Sequence, residues 1–223
     1  MELHASTPQK KDYRQDPAAI KEWLEVTYPA IVKKAEVENA EIWWVDQTGA
    51  RNASNYIRGY APRGVTPTLP IASHHIGVNM ISAVTNTGKL RYHFYRGKFN
   101  QKIYMDFLTR VIRGTDKKVC AIVDNCSTHH GLLVREWAEK KTDFITIFHL
   151  PSYAPDLNPV EYLNNNLKRV LLKKGYSKNE DEIEKKAMSI MRSIQSTKNR
   201  VESFFDNEHV KYAKNSHMTF PPG

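Results

Sequence analysis

The chain has 223 residues, of which 40% are hydrophobic and 26% charged, as is typical of a globular protein with one sizeable core. No apolar run approaches the roughly 20 residues that cross a bilayer, which argues against a membrane protein. The first residues lack the apolar segment of a signal peptide, so we expect a cytoplasmic location. The net charge of +9 favours a polyanionic partner. The two cysteines, Cys120 and Cys126, lack the second Cys/His pair of a zinc site and are expected as reduced thiols.

The first half of the chain is predicted to contain a helix, a buried strand and a hairpin. Residues 17–39 carry apolar side chains at helical spacing, interrupted by Pro29. Residues 41–46 are a short, mostly apolar run that favours a buried strand, and the polar residues 47–70 are typical of a loop. Two more strands follow, joined by a tight turn centred on residues 86–88.

The second half alternates helices with short apolar strands. Strands are predicted at residues 119–124 and 144–150, and helices at residues 99–114, 129–140, 159–174 and within 179–213. This order predicts an α/β fold with a mixed sheet flanked by helices, in which right-handed crossovers make the later strands parallel. We expect residues 1–40 to be an arm and linker helix, residues 41–200 the main domain, and residues 201–223 a tail.

Three acidic residues stand at positions that favour a ligand site. Two predicted strands end in Asp46 and Asp124, and Glu161 lies in the first turn of the helix that follows residue 158. Ligand sites of such sheets lie at the carboxyl ends of strands, so the two aspartates would lie side by side if their strands are neighbours. Close carboxylates repel each other unless they gain a proton, a basic partner or a cation. Carboxylate oxygens suit Mg²⁺ or Mn²⁺, and a pair of such ions can activate water against a phosphodiester.

Each acid also has a purely structural interpretation. An aspartate after a buried strand often begins a turn, which fits Asp124. Glu161 stands three residues after Asn158, which fits a capping box that contributes about 1 kcal/mol. Taken one at a time, these are the more frequent roles, so the acids by themselves leave both interpretations open.

Three segments resemble the acidic motifs of the DDE transposase superfamily, in particular its mariner-like branch and the bacterial insertion-sequence relatives. They are VDQ at residues 45–47, VDNCSTHH at 123–130 and LPSYAPDLNPVEYL at 150–163. The second has the family's DNAxxH form at Asp124, Asn125 and His129, and the glutamate of the third corresponds to Glu161. Thirty-six residues separate Asp124 from Glu161, close to the spacing typical of this branch.

The resemblance implies a ribonuclease H-like fold for residues 41–200 and a transposase that cuts and joins transposon DNA ends. It also implies insertion at TA dinucleotides and a homodimer on paired ends. Asp46, Asp124 and Glu161 would ligate two Mg²⁺ or Mn²⁺ ions, with Asn125 and His129 supporting them. A protein that acts on DNA in this way is expected to be associated with the nucleoid.

Basic residues near the three acids are candidates for contacts with DNA phosphates. They are Arg51, Arg58 and Arg63 in the predicted loop after the first strand, and Lys168 and Arg169 on the helix of the third motif. For a single lysine on a helix, a solvated face is the more frequent role.

The chain departs from the family pattern in three respects. Gln47 stands where relatives commonly carry Glu, and Asn164 where they often carry Trp. Relatives usually begin with helix-turn-helix modules, of which only a trailing arm has a counterpart here, so an upstream helix-turn-helix polypeptide is an expected partner.

One alternative function is that of a catalytically idle remnant that binds DNA or a full-length transposase as a regulator. Another is a different ribonuclease H-like nuclease.

Overall fold

The computed structural model describes residues 13–52 and 76–214, which form a five-stranded mixed sheet with helices on both faces. The strands are β1 (Glu41–Arg51), β2 (Gly77–Val84), β3 (Leu90–Tyr95), β4 (Val119–Val123) and β5 (Ile145–His149), in the order β3-β2-β1-β4-β5. Strands β1, β4 and β5 are parallel, while β2 and β3 form an antiparallel hairpin beside β1. The predicted α/β fold and the parallel pairing of the later strands are confirmed.

Seven α-helices lie in the described part of the chain. They are α1 (Pro17–Glu22), α2 (Tyr28–Val37), α3 (Gln101–Arg113), α4 (Leu132–Glu139), α5 (Pro159–Lys173), α6 (Glu180–Gln195) and α7 (Lys198–Glu202). None of these described helices has both the length and the apolar character that crossing a membrane requires.

Strand β1 is longer than predicted, because residues 47–51 continue the strand instead of starting a loop. Their backbone pairs with β2, from Gln47 opposite Ile81 to Arg51 opposite Gly77. These residues are mostly polar or small and lack apolar alternation, so only the pairing with a later strand keeps them extended. The other predicted loop residues, 53–70, lie outside the described residues.

The sheet separates two hydrophobic cores. Trp44 of β1 lies in the core beneath α1, α2, α5 and α6, while its neighbour Trp43 lies in the core beneath α3 and α4. Both indoles are buried, as the period-two alternation of a strand with two covered faces requires. Ile122 of β4 pairs with Trp44 and belongs to the same core, so residues two positions beyond each of them lie on the same side of the sheet.

The N-terminal helix continues past Pro29, contrary to the predicted interruption. Helices α1 and α2 are joined by a π-helical turn at Trp23–Thr27, in which the Tyr28 amide donates to the carbonyl of Trp23, five residues back. Pro29 has no amide hydrogen and would disrupt an ordinary α-helix at this point, whereas the widened turn accommodates it. Trp23 and Tyr28 thereby lie on one face of the helix, and both rings pack against Trp44.

The C-terminal part of the described chain packs into the same core as α5. Phe205 and Ala213 are buried there, in short 3₁₀ turns that follow α7. The hydroxyl of Tyr212 accepts a hydrogen bond from the Trp23 indole at 3.0 Å and donates to the carbonyl of Leu157 at 2.9 Å. Residues near both ends of the described chain therefore support the turn that leads into α5.

Candidate active site

The three predicted acids line a single cavity of about 310 Å³. Asp46 reaches it from β1, Asp124 from the segment after β4, and Glu161 from the first turn of α5. The segment between β5 and α5, residues 150–155, forms the opposite wall. The structure thus brings together all three carboxylates that the sequence motifs singled out.

Asp46 is not at the end of its strand, as predicted, but at the end of the strand's parallel pairing. The last pair between β1 and β4 is Trp44 with Ile122, whereas Asp46 is still paired with Ser82 of β2. The prediction placed the strand end too early because it omitted residues 47–51. Asp46 nevertheless lies at the carboxyl edge of the parallel half of the sheet, and it is only 6% exposed.

Asp124 is held by a buried histidine. The Nδ1 atom of His129 donates to the Asp124 carboxylate at 2.7 Å and lies 3.1 Å from the carbonyl of the same residue. The amide of Cys126 also lies 3.4 Å from the carboxylate, so Asp124 begins a turn in addition to facing the cavity. Burial is the largest single effect on Asp124 and raises its pKa, but the hydrogen bond and charge of His129, the Cys126 amide and the charge of His149 together hold the pKa below its ordinary value.

The start of α5 is capped by Asn158, and this leaves the Glu161 side chain to the cavity. The side-chain oxygen of Asn158 accepts from the Val160 amide at 3.1 Å, and its side-chain nitrogen donates to the Val45 carbonyl at 3.2 Å. The Asn158 amide donates to the carbonyl of Pro155, so it is not satisfied by the Glu161 carboxylate as a capping box requires. The capping box that the sequence allows as a structural role for Glu161 is therefore not formed. Asn158 caps the helix through the Val160 amide and joins α5 to β1 through Val45.

Unlike Asp124, the other two acids, Asp46 and Glu161, have poorly compensated charges. Burial, followed by the charges of Glu161 and Asp124, raises the pKa of Asp46 well above its ordinary value. Burial and the charge of Asp124 also raise the pKa of Glu161. The nearby charge of Lys168 lowers the pKa of both groups without cancelling these effects. A cavity of this kind favours a proton or a cation between its carboxylates.

The donors fit a divalent cation in kind, because three carboxylates around one cavity are the hard oxygen ligands that Mg²⁺ and Mn²⁺ prefer. Within residues 13–52 and 76–214, no three His, Cys, Asp or Glu side chains are arranged to hold an ion as they stand. Ligation of one ion by all three acids would therefore require their side chains to move within the cavity.

The other predicted site residues are placed in different ways. Asn125 lines the cavity and donates from its side chain to the Ser152 hydroxyl at 2.7 Å. Arg51 lies at the end of β1 and not in a loop, and its guanidinium donates to the Val78 carbonyl and to the Asn79 side chain. Lys168 and Arg169 are exposed on α5, and Arg58 and Arg63 lie outside the described residues.

Sequence reasoning missed two features of the site. Asn164 donates to the Asp46 carboxylate at 2.7 Å, and its signal was a polar residue within the buried stripe of α5. Tyr153 lines the cavity with a φ of 58°, a left-handed conformation that is unusual for a bulky residue. The guanidinium of Arg14 lies 4.1 Å from the centre of its ring, a contact that no local pattern indicates.

Comparison with known proteins supports this reading of the motifs. The family model described as DDE superfamily endonuclease matches residues 41–184. No curated protein sequence matches the chain.

Solved structures of Mos1 transposase share the fold. The paired-end complex with left transposon end is 14% identical, with a TM-score of 0.65 over 96% of this chain and 68% of that chain. The strand transfer complex is 13% identical, with a TM-score of 0.66 over 96% and 67% of the two chains. The catalytic domain of the mariner transposase is 14% identical, with a TM-score of 0.56 over 94% and 98%. At these identities the likeness establishes the fold, which is ribonuclease H-like as predicted.

Proposed function

The chain belongs to the DDE superfamily of endonucleases, and we propose that it is a transposase catalytic domain that cleaves DNA at transposon ends and transfers the strands. The observation that carries the proposal is the meeting of Asp46, Asp124 and Glu161, one from each acidic motif, around one cavity. The chain segments that deliver them are far apart in sequence, so the fold alone has no reason to concentrate three carboxylates here.

In this proposal the three carboxylates hold two divalent ions, Mg²⁺ or Mn²⁺. Bound ions would activate the attacking water or hydroxyl and stabilise the leaving oxygen of a phosphodiester. Paired-end complexes of Mos1 have been solved with Mn and with Mg, which supports the choice of ions for a chain that shares the fold. His129 keeps Asp124 ionised and oriented, and Asn125 orders the rim of the cavity through Ser152.

DNA would lie across the cavity and be held mainly through its phosphates. Lys168 is the described basic residue whose charge acts on both Asp46 and Glu161, so it is well placed to contact a phosphate next to the reaction. Arg169 continues the same exposed helix surface, and Arg51 stands at the end of β1. Arg58 and Arg63 follow in the chain and complete the proposed set.

Further parts of the proposal concern partners and organisation. A Mos1 complex holds a transposon end and another is a strand transfer complex, which supports double-stranded transposon ends and a target duplex as substrates here. TA as the target dinucleotide is proposed from the resemblance of the motifs alone. We propose a homodimer on DNA, an upstream helix-turn-helix polypeptide as a partner, and a nucleoid-associated location in the cytoplasm. Residues 41–200 would carry the chemistry, between an N-terminal segment of residues 1–40 and a C-terminal segment of residues 201–223, whose described parts pack into the core of the same domain.

The Asp124→Asn variant tests the proposal. The substitution keeps the shape of the side chain and its contact with His129 but removes a metal-ligating charge, so Mn²⁺-dependent nicking of supercoiled DNA should be abolished while the folded protein remains. The matched control is Asp116→Asn, which makes the same change at an exposed turn away from the cavity and should nick like the wild type. Nicking by pure Asp124→Asn protein at the wild-type rate would refute the assigned chemistry.

The same experiment separates the alternative function. A wild-type chain that binds duplex DNA or a full-length transposase, but neither binds Mn²⁺ nor nicks DNA, would be a regulator derived from a transposase. A panel of branched DNA and RNA–DNA hybrids tests for another ribonuclease H-like nuclease, which would cut one of these substrates. A transposase is distinguished from it because only a transposase joins a cut end to a new duplex.

A further inference from the structure

Asn164 is a polar residue at a position where the fold supplies an apolar environment. It lies on α5 between Leu163 and Leu167, which are both buried in the main core, and it is itself 0% exposed. Its side-chain nitrogen donates to the Oδ2 atom of Asp46 at 2.7 Å. Its side-chain oxygen is buried without a hydrogen-bond partner among the described residues.

This arrangement is unfavourable for the stability of the fold. A buried amide whose oxygen has no partner loses its hydration without replacement, whereas a leucine at this position would continue the apolar stripe of α5. The contact that offsets the loss is the hydrogen bond to Asp46. A residue that lowers the stability of the fold while contacting an acid of the site is expected where function, and not stability, determines which amino acid occupies the position.

The direction of the contact follows from its chemistry. The ionised form of Asp46, which is the form that can bind a cation, only accepts hydrogen bonds, so the amide must present its nitrogen to it and turn its oxygen away. An ionised carboxylate offers about four acceptor positions. Asn164 occupies one of these at Oδ2 and leaves others of Asp46 for a cation.

We infer that Asn164 is a positioning residue that fixes the orientation of the Asp46 carboxylate for the metal-dependent reaction, an inference that rests on the function proposed above. Glu161 and Asn164 are three residues apart and therefore share one face of α5. One helix thus delivers one acid to the cavity and orients another, and the relative placement of Asp46 and Glu161 depends on a single rigid element. Asn164 contacts Asp46 and acts on the ion and the DNA through it.

The Asn164→Leu variant tests this role, because it removes the donor and the unpartnered oxygen while keeping the number and branching of the side-chain heavy atoms. We expect Mn²⁺ titration of the variant to show an affinity about tenfold weaker than that of the wild type, the usual effect of losing a partner of a ligand. The kcat of nicking should fall while the KM for DNA stays the same, and the melting temperature of the metal-free protein should be unchanged or higher. The control Asn165→Leu makes the same change at an exposed position of the same helix and should match the wild type in all three measurements.

Comparison of Asn164→Gln with Asn164→Leu separates the orientation of Asp46 from the filling of space in the core. Asn164→Gln keeps an N–H donor on a longer stem, so it should recover part of the Mn²⁺ affinity that Asn164→Leu loses. If Asn164 merely fills the core, the leucine variant will perform at least as well as the glutamine variant. Asn164→Ala replaces the leucine variant in the comparison if the latter does not fold, since a smaller side chain cannot clash.

Two results would overturn the inference, and they differ in meaning. Wild-type Mn²⁺ affinity and kcat in a folded Asn164→Leu or Asn164→Ala protein would show that the contact is dispensable, while the proposed function would stand. Failure of the wild-type chain itself to bind Mn²⁺ would refute the proposed function and the positioning role together.

Discussion

Replacing Asn158 with alanine removes two hydrogen bonds, one that caps the start of α5 and one that joins it to the strand carrying Asp46. Asn158 is 2% exposed, accepts from the Val160 amide and donates to the Val45 carbonyl, which immediately precedes Asp46 in the chain. The substitution therefore acts at once on the stability of the helix start and on the placement of Asp46 relative to Glu161.

The expected magnitude follows from the two contacts. Loss of an N-cap side chain costs about 1 kcal/mol. Leaving the buried Val45 carbonyl without its partner costs about 1–3 kcal/mol more. For a domain of this size each kcal/mol lowers the melting temperature by about 2–4 °C, so Asn158→Ala should melt roughly 5–15 °C below the wild type.

A second asparagine provides the matched control. Asn179 caps α6 by accepting from the Glu182 amide at 2.9 Å, and that bond is exposed. Asn179→Ala should therefore cost only about 1 kcal/mol, or roughly 2–4 °C. The difference between the two variants in thermal unfolding isolates the contribution of the bond to Val45.

The nicking assay completes the experiment. At a temperature where both variants are folded, Asn158→Ala should nick on the order of a hundredfold more slowly, because small displacements of reacting groups have effects of this size. Asn179→Ala should retain wild-type activity. Equal melting temperatures for the two variants, or full activity of folded Asn158→Ala, would refute the reasoning that Asn158 fixes the position of Asp46 relative to Glu161.

Two further predictions concern the charges of the site. The raised pKa of Asp46 means that its contribution to stability is fully present below its unfolded pKa of about 4 and is lost as the pH rises through the folded pKa. Without metal, the melting temperature of Asp46→Asn should therefore fall less than that of the wild type as the pH is raised from 4 to 8. Parallel curves of melting temperature against pH for the two proteins would contradict this. Lys168→Gln should make the dependence of the duplex-DNA binding constant on salt less steep. The negative slope of log K against log salt concentration should decrease in magnitude by about 1, as loss of one phosphate contact predicts. An unchanged slope would place Lys168 outside the DNA interface.

The sheet and the acidic triad could be predicted from the sequence because both depend on local patterns. A short apolar run identifies each buried strand, although β1 continues past Asp46, and the turn residues before Pro159 fix where α5 begins. The two aspartates lie close together because their strands are parallel neighbours. The alternation of strands and helices predicts the parallel direction, whereas the sequence leaves open whether the two strands are adjacent.

The remaining features depend on contacts between distant segments. Residues 47–51 have no strand pattern of their own and are extended because β2 pairs with them. The partner of Asn164 lies 118 positions away in the chain, so nothing near residue 164 indicates Asp46. Asn158 was predicted as a helix cap, but its second bond to Val45 arises only once α5 packs on β1.

The wide turn at Trp23–Thr27 has a consequence for comparing this chain with its relatives. A π-helical turn holds one residue more than an α-helical turn, so it is equivalent to a one-residue insertion that the helix absorbs. Removing that residue would rotate Trp23 by about 100° relative to Tyr28 and take its indole away from Trp44. Any alignment of this helix with a relative that lacks the turn must therefore open a gap between Trp23 and Tyr28, because an ungapped alignment would pair buried positions with exposed ones.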